Sequence, residues 1–131
     1  LEKTFLMIKP DAVKRNLIGE IIKRIEDAGF KIVDLKMAKF SLAEARKFYQ
    51  VHKGKPFFEK LVKFISSGKV IGILLTRRNA VKKLRELVGA TDPKEAKRGT
   101  IRYDLATEVT KNAVHASDSA RNVTFESKFF F

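Results

Sequence analysis

The feature that most constrains this chain is a repeated change of hydrophobic period. KTFLMIK (3–9) is a short apolar run that ends at Pro10, which predicts a buried strand. IGEIIKRIEDAG then places Ile18, Ile21, Ile22 and Ile25 on one helical face, with Gly29 as its stop. KIVDLKMAKF alternates: Val33, Leu35 and Met37 point one way and Asp34 and Lys36 the other, the pattern of a half-buried strand. Ser41 and Glu44 make a capping box that opens LAEARKFYQVH. After a break at GKP, FFEKLVKFISSG reads as a helix with Leu61, Val62 and Ile65 inward.

KVIGILLT (69–76) is the most apolar strand. NAVKKLRELVG follows as a helix capped by Asn79, buried through Val81, Leu84 and Leu87 and stopped by Gly89. AVHA reads as a short strand and SARNVTFESK as a terminal helix with Ser119 as cap. The order β-α-β-αα-β-α-β-α predicts an α/β chain, a four-stranded sheet covered by helices, but leaves strand order and direction open. Residues 90–111 show no period. A loop of that length in a compact chain is usually functional, and this one carries Thr91, Arg98 and Arg102, so a binding loop is expected.

Length enters as a bound: 131 residues without repeat or linker predict a single domain over 1–131. With no cysteine, disulfides and thiolate metal sites are excluded. No apolar run approaches the roughly 20 residues that span a bilayer, and the opening segment is broken too early for a signal peptide. The expected compartment is the cytoplasm, without membrane attachment. The net charge of +13 predicts attraction for polyanions, whether nucleotides, nucleic acid or acidic membranes, and charge alone does not choose among them.

The chemistry narrows by elimination. The two histidines, His52 and His115, lie far apart without the spacing of a zinc site. A Ser–His–Asp relay lacks a G-x-S-x-G elbow, and Ser117 and Asp118 are too close in sequence to His115 to sandwich it. Neither a P-loop nor G-x-G-x-x-G is present, and KVIGILLT lacks the aromatics of an RNA-binding strand. What remains is a histidine acting alone. An imidazole, with an ordinary pKa of about 6.5, is largely neutral at pH 7 and is a nucleophile once one nitrogen is held by an acceptor. Glu126 is a downstream carboxylate suited to that task, and Lys9, Arg85 and Arg102 are cations suited to phosphate oxygens. On residues alone, a well-bonded structural histidine at position 115 stands equally open.

TFLMIKPDAVKR, IGEII, HKGKPFF, SGKV, GATDPKEAKRGTIR and NAVHASDS, in that order and spacing, resemble the nucleoside diphosphate kinases over essentially the whole chain. The resemblance implies a ferredoxin-like βαββαβ sandwich with an antiparallel sheet, an αα insertion and a long loop before the last strand. It implies ping-pong transfer of a γ-phosphate through a phosphohistidine on His115, with Glu126 orienting the ring, Ser117 beside the phosphoryl group and Tyr49 close by. It further implies Phe57 and Val109 on the two faces of the base with Leu61 alongside, and Lys9 and Asn112 at the sugar, Lys9 also near phosphate. His52, Arg85, Thr91 and Arg102 would hold the phosphates. Mg2+ would ride on those phosphates, helped at most by Asp118, rather than sit in a protein-built cluster. A homo-oligomer is implied, a hexamer before a tetramer.

Departures from the family pattern are Ala116 where glycine is common, Tyr103 after the loop arginine, and LATEVTKN before Asn112. The FFF ending suggests burial against another subunit. The charge keeps a second expectation open: a basic nucleic-acid-binding protein on the same scaffold, with kinase activity secondary or lost.

Overall fold

A computed structural model describes all 131 residues. Four strands, β1 (Glu2–Ile8), β2 (Lys31–Ala38), β3 (Val70–Arg77) and β4 (Val114–Ala116), form one sheet in the order β2-β3-β1-β4. Every neighbouring pair is antiparallel. The helices are α1 (Pro10–Lys14), α2 (Ile18–Asp27), α3 (Leu42–Phe48), α4 (Phe58–Ile65), α5 (Ala80–Val88), α6 (Ile101–Leu105) and α7 (Ala120–Ser127). With α2 and α5 as its crossovers, this is the ferredoxin-like βαββαβ arrangement, and α3–α4 form the insertion between β2 and β3. No helix is long and apolar enough to cross a membrane.

β1 is central because both of its faces are apolar. Leu6 and Ile8 enter one core with Ile21 and Ile25 of α2, Leu84 and Val88 of α5, and Ile101 of α6. Phe5 and Met7 enter the other with Phe48 of α3, Val62 and Ile65 of α4, Val123 of α7 and Phe130. The continuous apolar runs of β1 and β3 follow from this double coverage. Phe130 lies over Gly72, where an added Cβ would meet its ring at 2.5 Å. The C-terminal aromatics are therefore partly intramolecular: Phe130 is buried in the chain's own core, while Phe131 stays exposed.

Three local expectations change. β2 is an edge strand rather than a half-buried one, so Val33, Leu35 and Met37 lie exposed, and its register against β3 shifts between Ile32 and Asp34. Asn79 does not cap α5 through its side chain; it adopts a left-handed backbone (φ 52°), and Glu2 Oε1 accepts from the Val81 N–H instead. The buried face of α5 runs through Ala80, Leu84 and Val88, one residue out of phase with the sequence reading at its two ends. Within the aperiodic stretch, Thr100 caps the short helix α6. The Ser41–Glu44 capping box and the Ser119 cap of α7 are both formed.

Candidate active site

A cleft of about 450 Å³ opens where the edge strand β4 meets α3, α5, α6 and α7. The short strand β4 pairs His115 with Met7 of β1, which fixes the ring on the sheet face shared with α3 and α7. There it packs edge-on against Phe48 (ring centroids 5.4 Å apart) and Tyr49 (6.3 Å). His115 Nε2 is buried 2.9 Å from Glu126 Oε1, off the line of a straight hydrogen bond. Nδ1 bonds no protein group and is the nitrogen left for the cleft. Glu126 is itself held, since Ser117 Oγ donates to the same carboxylate oxygen at 2.5 Å. The arrangement suits a neutral imidazole carrying its proton on Nε2 and its lone pair on Nδ1.

Ser117 was expected beside a transferring phosphoryl group. Its side chain is fully buried behind Glu126 and does not line the cleft. Arg98 of the expected binding loop does not line it either, whereas Lys9, Tyr49, His52, Phe57, Leu61, Arg85, Thr91, Arg102, Val109, Asn112, His115, Asp118 and Glu126 do. They come from segments spread along the chain from β1 to α7, which the sheet and its helices bring to one place.

Three basic side chains line the cleft with the histidine, and each is fixed by backbone carbonyls or a side-chain amide. Arg102 is 5% exposed and donates to Gly89 O (3.0 Å) and Val114 O (2.8 Å), tying α6 to the end of α5 and to β4. Burial and the neighbouring Arg85 lower its pKa to about 10. Arg85 Nη1 donates to Ala116 O at 3.1 Å. Lys9, at the end of β1, donates from Nζ to Asn112 Oδ1 at 2.8 Å, and Asn112 Nδ2 donates in turn to Thr91 O. Burial, then Arg102, lower the Lys9 pKa to about 7, with Asp11 acting against them. Burial raises the Tyr49 phenol and lowers the His52 imidazole, the latter helped by His115 and Lys55. Ala116 has no left-handed backbone, so alanine fits where glycine is common.

At the mouth of the cleft stand two exposed apolar groups, Phe57 and Val109, with His52 5.3 Å from the Phe57 ring. Asp118 accepts from Asn122 Nδ2 at 2.5 Å, and that bond, followed by Arg85, holds its carboxyl below the usual range against a modest burial effect.

Two supporting residues escaped the sequence reading. Asp11 accepts the Ala113 N–H through Oδ2 at 3.1 Å and so secures a buried alanine at φ 74°, the turn that aims Asn112 and His115. The signal was an acid in the first turn of a Pro-initiated helix. Asn122 holds Asp118 across one helical turn, a spacing of four that sequence shows but does not rank. Chemically, the cleft offers one nucleophilic nitrogen, cations behind it, one ionised carboxylate and an apolar slot. That set suits a phosphorylated ligand with a flat ring.

Comparisons with known proteins agree with this geometry. A family model described as nucleoside diphosphate kinase matches residues 2–131. A nucleoside diphosphate kinase of Desulfatibacillum aliphaticivorans is 53% identical over 131 residues, covering 100% of this chain and 95% of the relative. One from Nitratiruptor sp. is 53% identical, covering 100% and 96%. The crystal structure of the Aquifex aeolicus nucleoside diphosphate kinase superposes with a TM-score of 0.95 at 41% identity, covering 99% of this chain and 94% of that one. A halophilic nucleoside diphosphate kinase from Halobacterium salinarum, in complex with CDP, superposes with a TM-score of 0.94 at 40% identity, covering 99% and 87%.

Proposed function

This chain belongs to the nucleoside diphosphate kinase family, and from that premise we propose that His115 Nδ1 is the atom that carries the phosphoryl group. The activity is transfer of a γ-phosphate from a nucleoside triphosphate to a nucleoside diphosphate. In the first half-reaction the Nδ1 lone pair forms a bond to the γ-phosphorus. The bond to the β-γ bridging oxygen breaks, and the electron pair leaves on the diphosphate. The second diphosphate reverses these steps in the same cleft, so one set of groups serves both.

The observation that carries this reading is the pairing of His115 Nε2 with Glu126 at 2.9 Å, which leaves Nδ1 toward Lys9, Arg85 and Arg102. Glu126 stabilises the Nε2 proton as the ring gains phosphate, and Ser117 keeps that carboxylate in place. Arg85, Arg102, Thr91 and His52 hold phosphates, while Lys9 and Asn112 reach the sugar and the transferring group. Tyr49 closes the wall behind His115. Phe57 and Val109 cover the base with Leu61 alongside; stacking is indifferent to base identity, which favours broad specificity. The CDP held by the Halobacterium salinarum relative supports a cleft of this kind.

Mg2+ fits the donor set only as a passenger. Asp118 is ionised and pinned by Asn122, a hard oxygen suited to help an ion carried on phosphates. When bound, the ion neutralises phosphate charge. Residues 1–131 form one kinase domain that works in the cytoplasm as a homo-oligomer, a hexamer in preference to a tetramer; the exposed edge Val33, Leu35 and Met37 supports association. The test is incubation with γ-labelled ATP followed by acid and base treatment. The protein should acquire acid-labile, base-stable label and pass it to a second diphosphate, and His115→Ala should acquire none. Label that survives in His115→Ala would refute the assignment.

A further inference from the structure

We propose that above neutral pH Lys9 stands in the free protein largely as a neutral amine and is driven to the ammonium form when nucleotide phosphate arrives, so that nucleotide binding takes up a proton. The inference rests on the reading of the cleft given above and adds a linkage that the reading does not contain.

An ammonium needs three acceptors or bulk water, and Lys9 has neither. The residue is 4% exposed, and its Nζ finds one partner, the neutral amide oxygen of Asn112, itself 1% exposed. None of the molecule's ion pairs includes Lys9. Asp11, in the first turn of α1, spends Oδ2 on the Ala113 N–H and keeps Oδ1 buried without a hydrogen bond to Lys9; its charge favours the ammonium but is outweighed by burial and Arg102, and burial raises its own pKa. From α6 the buried Arg102 guanidinium repels a positive charge on Nζ. The other titratable groups of the cleft are Tyr49, His52, Arg85, His115, Asp118 and Glu126. Glu126 is already occupied by Ser117 and His115, and Asp118 by Asn122.

Charge on Nζ is therefore costly until an anion enters, and the Lys9 pKa of about 7 agrees with that geometry. Phosphate oxygens supply both the missing acceptors and the missing negative charge. The proton comes from solvent onto the Nζ lone pair, and no other bond changes. One consequence is that diphosphate affinity falls about tenfold per pH unit above pH 7, as each binding event must collect a scarcer proton. A second is that the site carries less uncompensated positive charge between turnovers than its count of basic side chains suggests.

Calorimetric titration with ADP alone, at pH 8 in HEPES and in Tris, reads the proton directly, because the diphosphate is by then almost fully ionised and releases none. The heats should differ between the buffers by an uptake of about 0.9 proton. Lys9→Arg, whose guanidinium keeps its charge at that pH, should bind with heats that yield no uptake. Uptake that persists in Lys9→Arg would assign the proton to a histidine and overturn the proposal. If Lys9→Arg does not bind, the free wild-type protein labelled with 13C at lysine Cε decides: a Lys9 midpoint below about pH 8 supports the proposal and one above it overturns it. ADP binding without proton uptake overturns this inference alone. Absence of any ADP binding overturns the nucleotide-site reading and the inference with it.

Discussion

His115 is defined by what each of its nitrogens meets: Nε2 meets Glu126, and Nδ1 meets the cleft. Elimination of metal, relay and P-loop chemistry left a lone histidine, with Glu126 a carboxylate suited to hold it and a structural histidine equally open; the family resemblance gave the two their roles. What neither showed was the second layer. Ser117 turned out to brace Glu126 from behind, and Asp11 to secure the strained Ala113 turn, because hydrogen-bond direction depends on backbone geometry that no spacing encodes. Lys9 is the clearest case of a property set by burial. Its folded pKa of about 7 lies below its ordinary value of 10.5, so between those limits the unfolded chain binds more protons than the folded one. Stability must then rise with pH across that window, and Lys9 weighs against the fold most heavily below pH 7. Urea titrations of the ligand-free protein at about pH 7, 8.5 and 10 should show this rise, of order a few kcal/mol, relative to Lys9→Met. A parallel pH profile in the two proteins would contradict it.

At the scale of elements, the long periodic segments were legible and the short or two-sided ones were not. α2 buries Ile21 and Ile25 and packs Ile18 and Ile22 half-buried beside them, and α4 buries Val62 and Ile65 with Leu61 half-buried, as their 3.6-residue spacing indicates. The five-residue helix α6 is too short to show a period, and one of its two buried residues is an arginine. β2 alternates as a half-buried strand does, yet lies at the sheet edge with its apolar side exposed; alternation reports two unlike faces, not which of them is covered. The close fit of Phe130 on Gly72 joins the C-terminal segment to the centre of the sheet. Gly72→Ala should displace that ring and cost about 1–3 kcal/mol in chemical denaturation, with Phe130→Ala in the same background recovering little of it. An unchanged midpoint for Gly72→Ala would show that the ring is free to move.

At the scale of the molecule, function lies in convergence. Lys9, Phe57, Arg85, Arg102, His115 and Glu126 span most of the chain, and antiparallel pairing of β4 with β1 is what brings the first and last segments together. The sequence carried the identity of these residues through family motifs, while composition alone reached only as far as attraction for polyanions. Part of the net charge of +13 is spent inside the cleft, where Arg85 and Arg102 are held by carbonyls rather than by acids. The remaining lysines are chiefly exposed, and nothing in the fold assigns them a ligand. The whole assembly makes one atom-level claim, that Glu126 occupies Nε2 and leaves Nδ1 to receive phosphate. NMR of the phosphorylated protein carrying 15N-histidine distinguishes the two nitrogens by phosphorus–nitrogen coupling. The phosphorus should couple to Nδ1 of His115; coupling to Nε2, or to His52, would contradict the account.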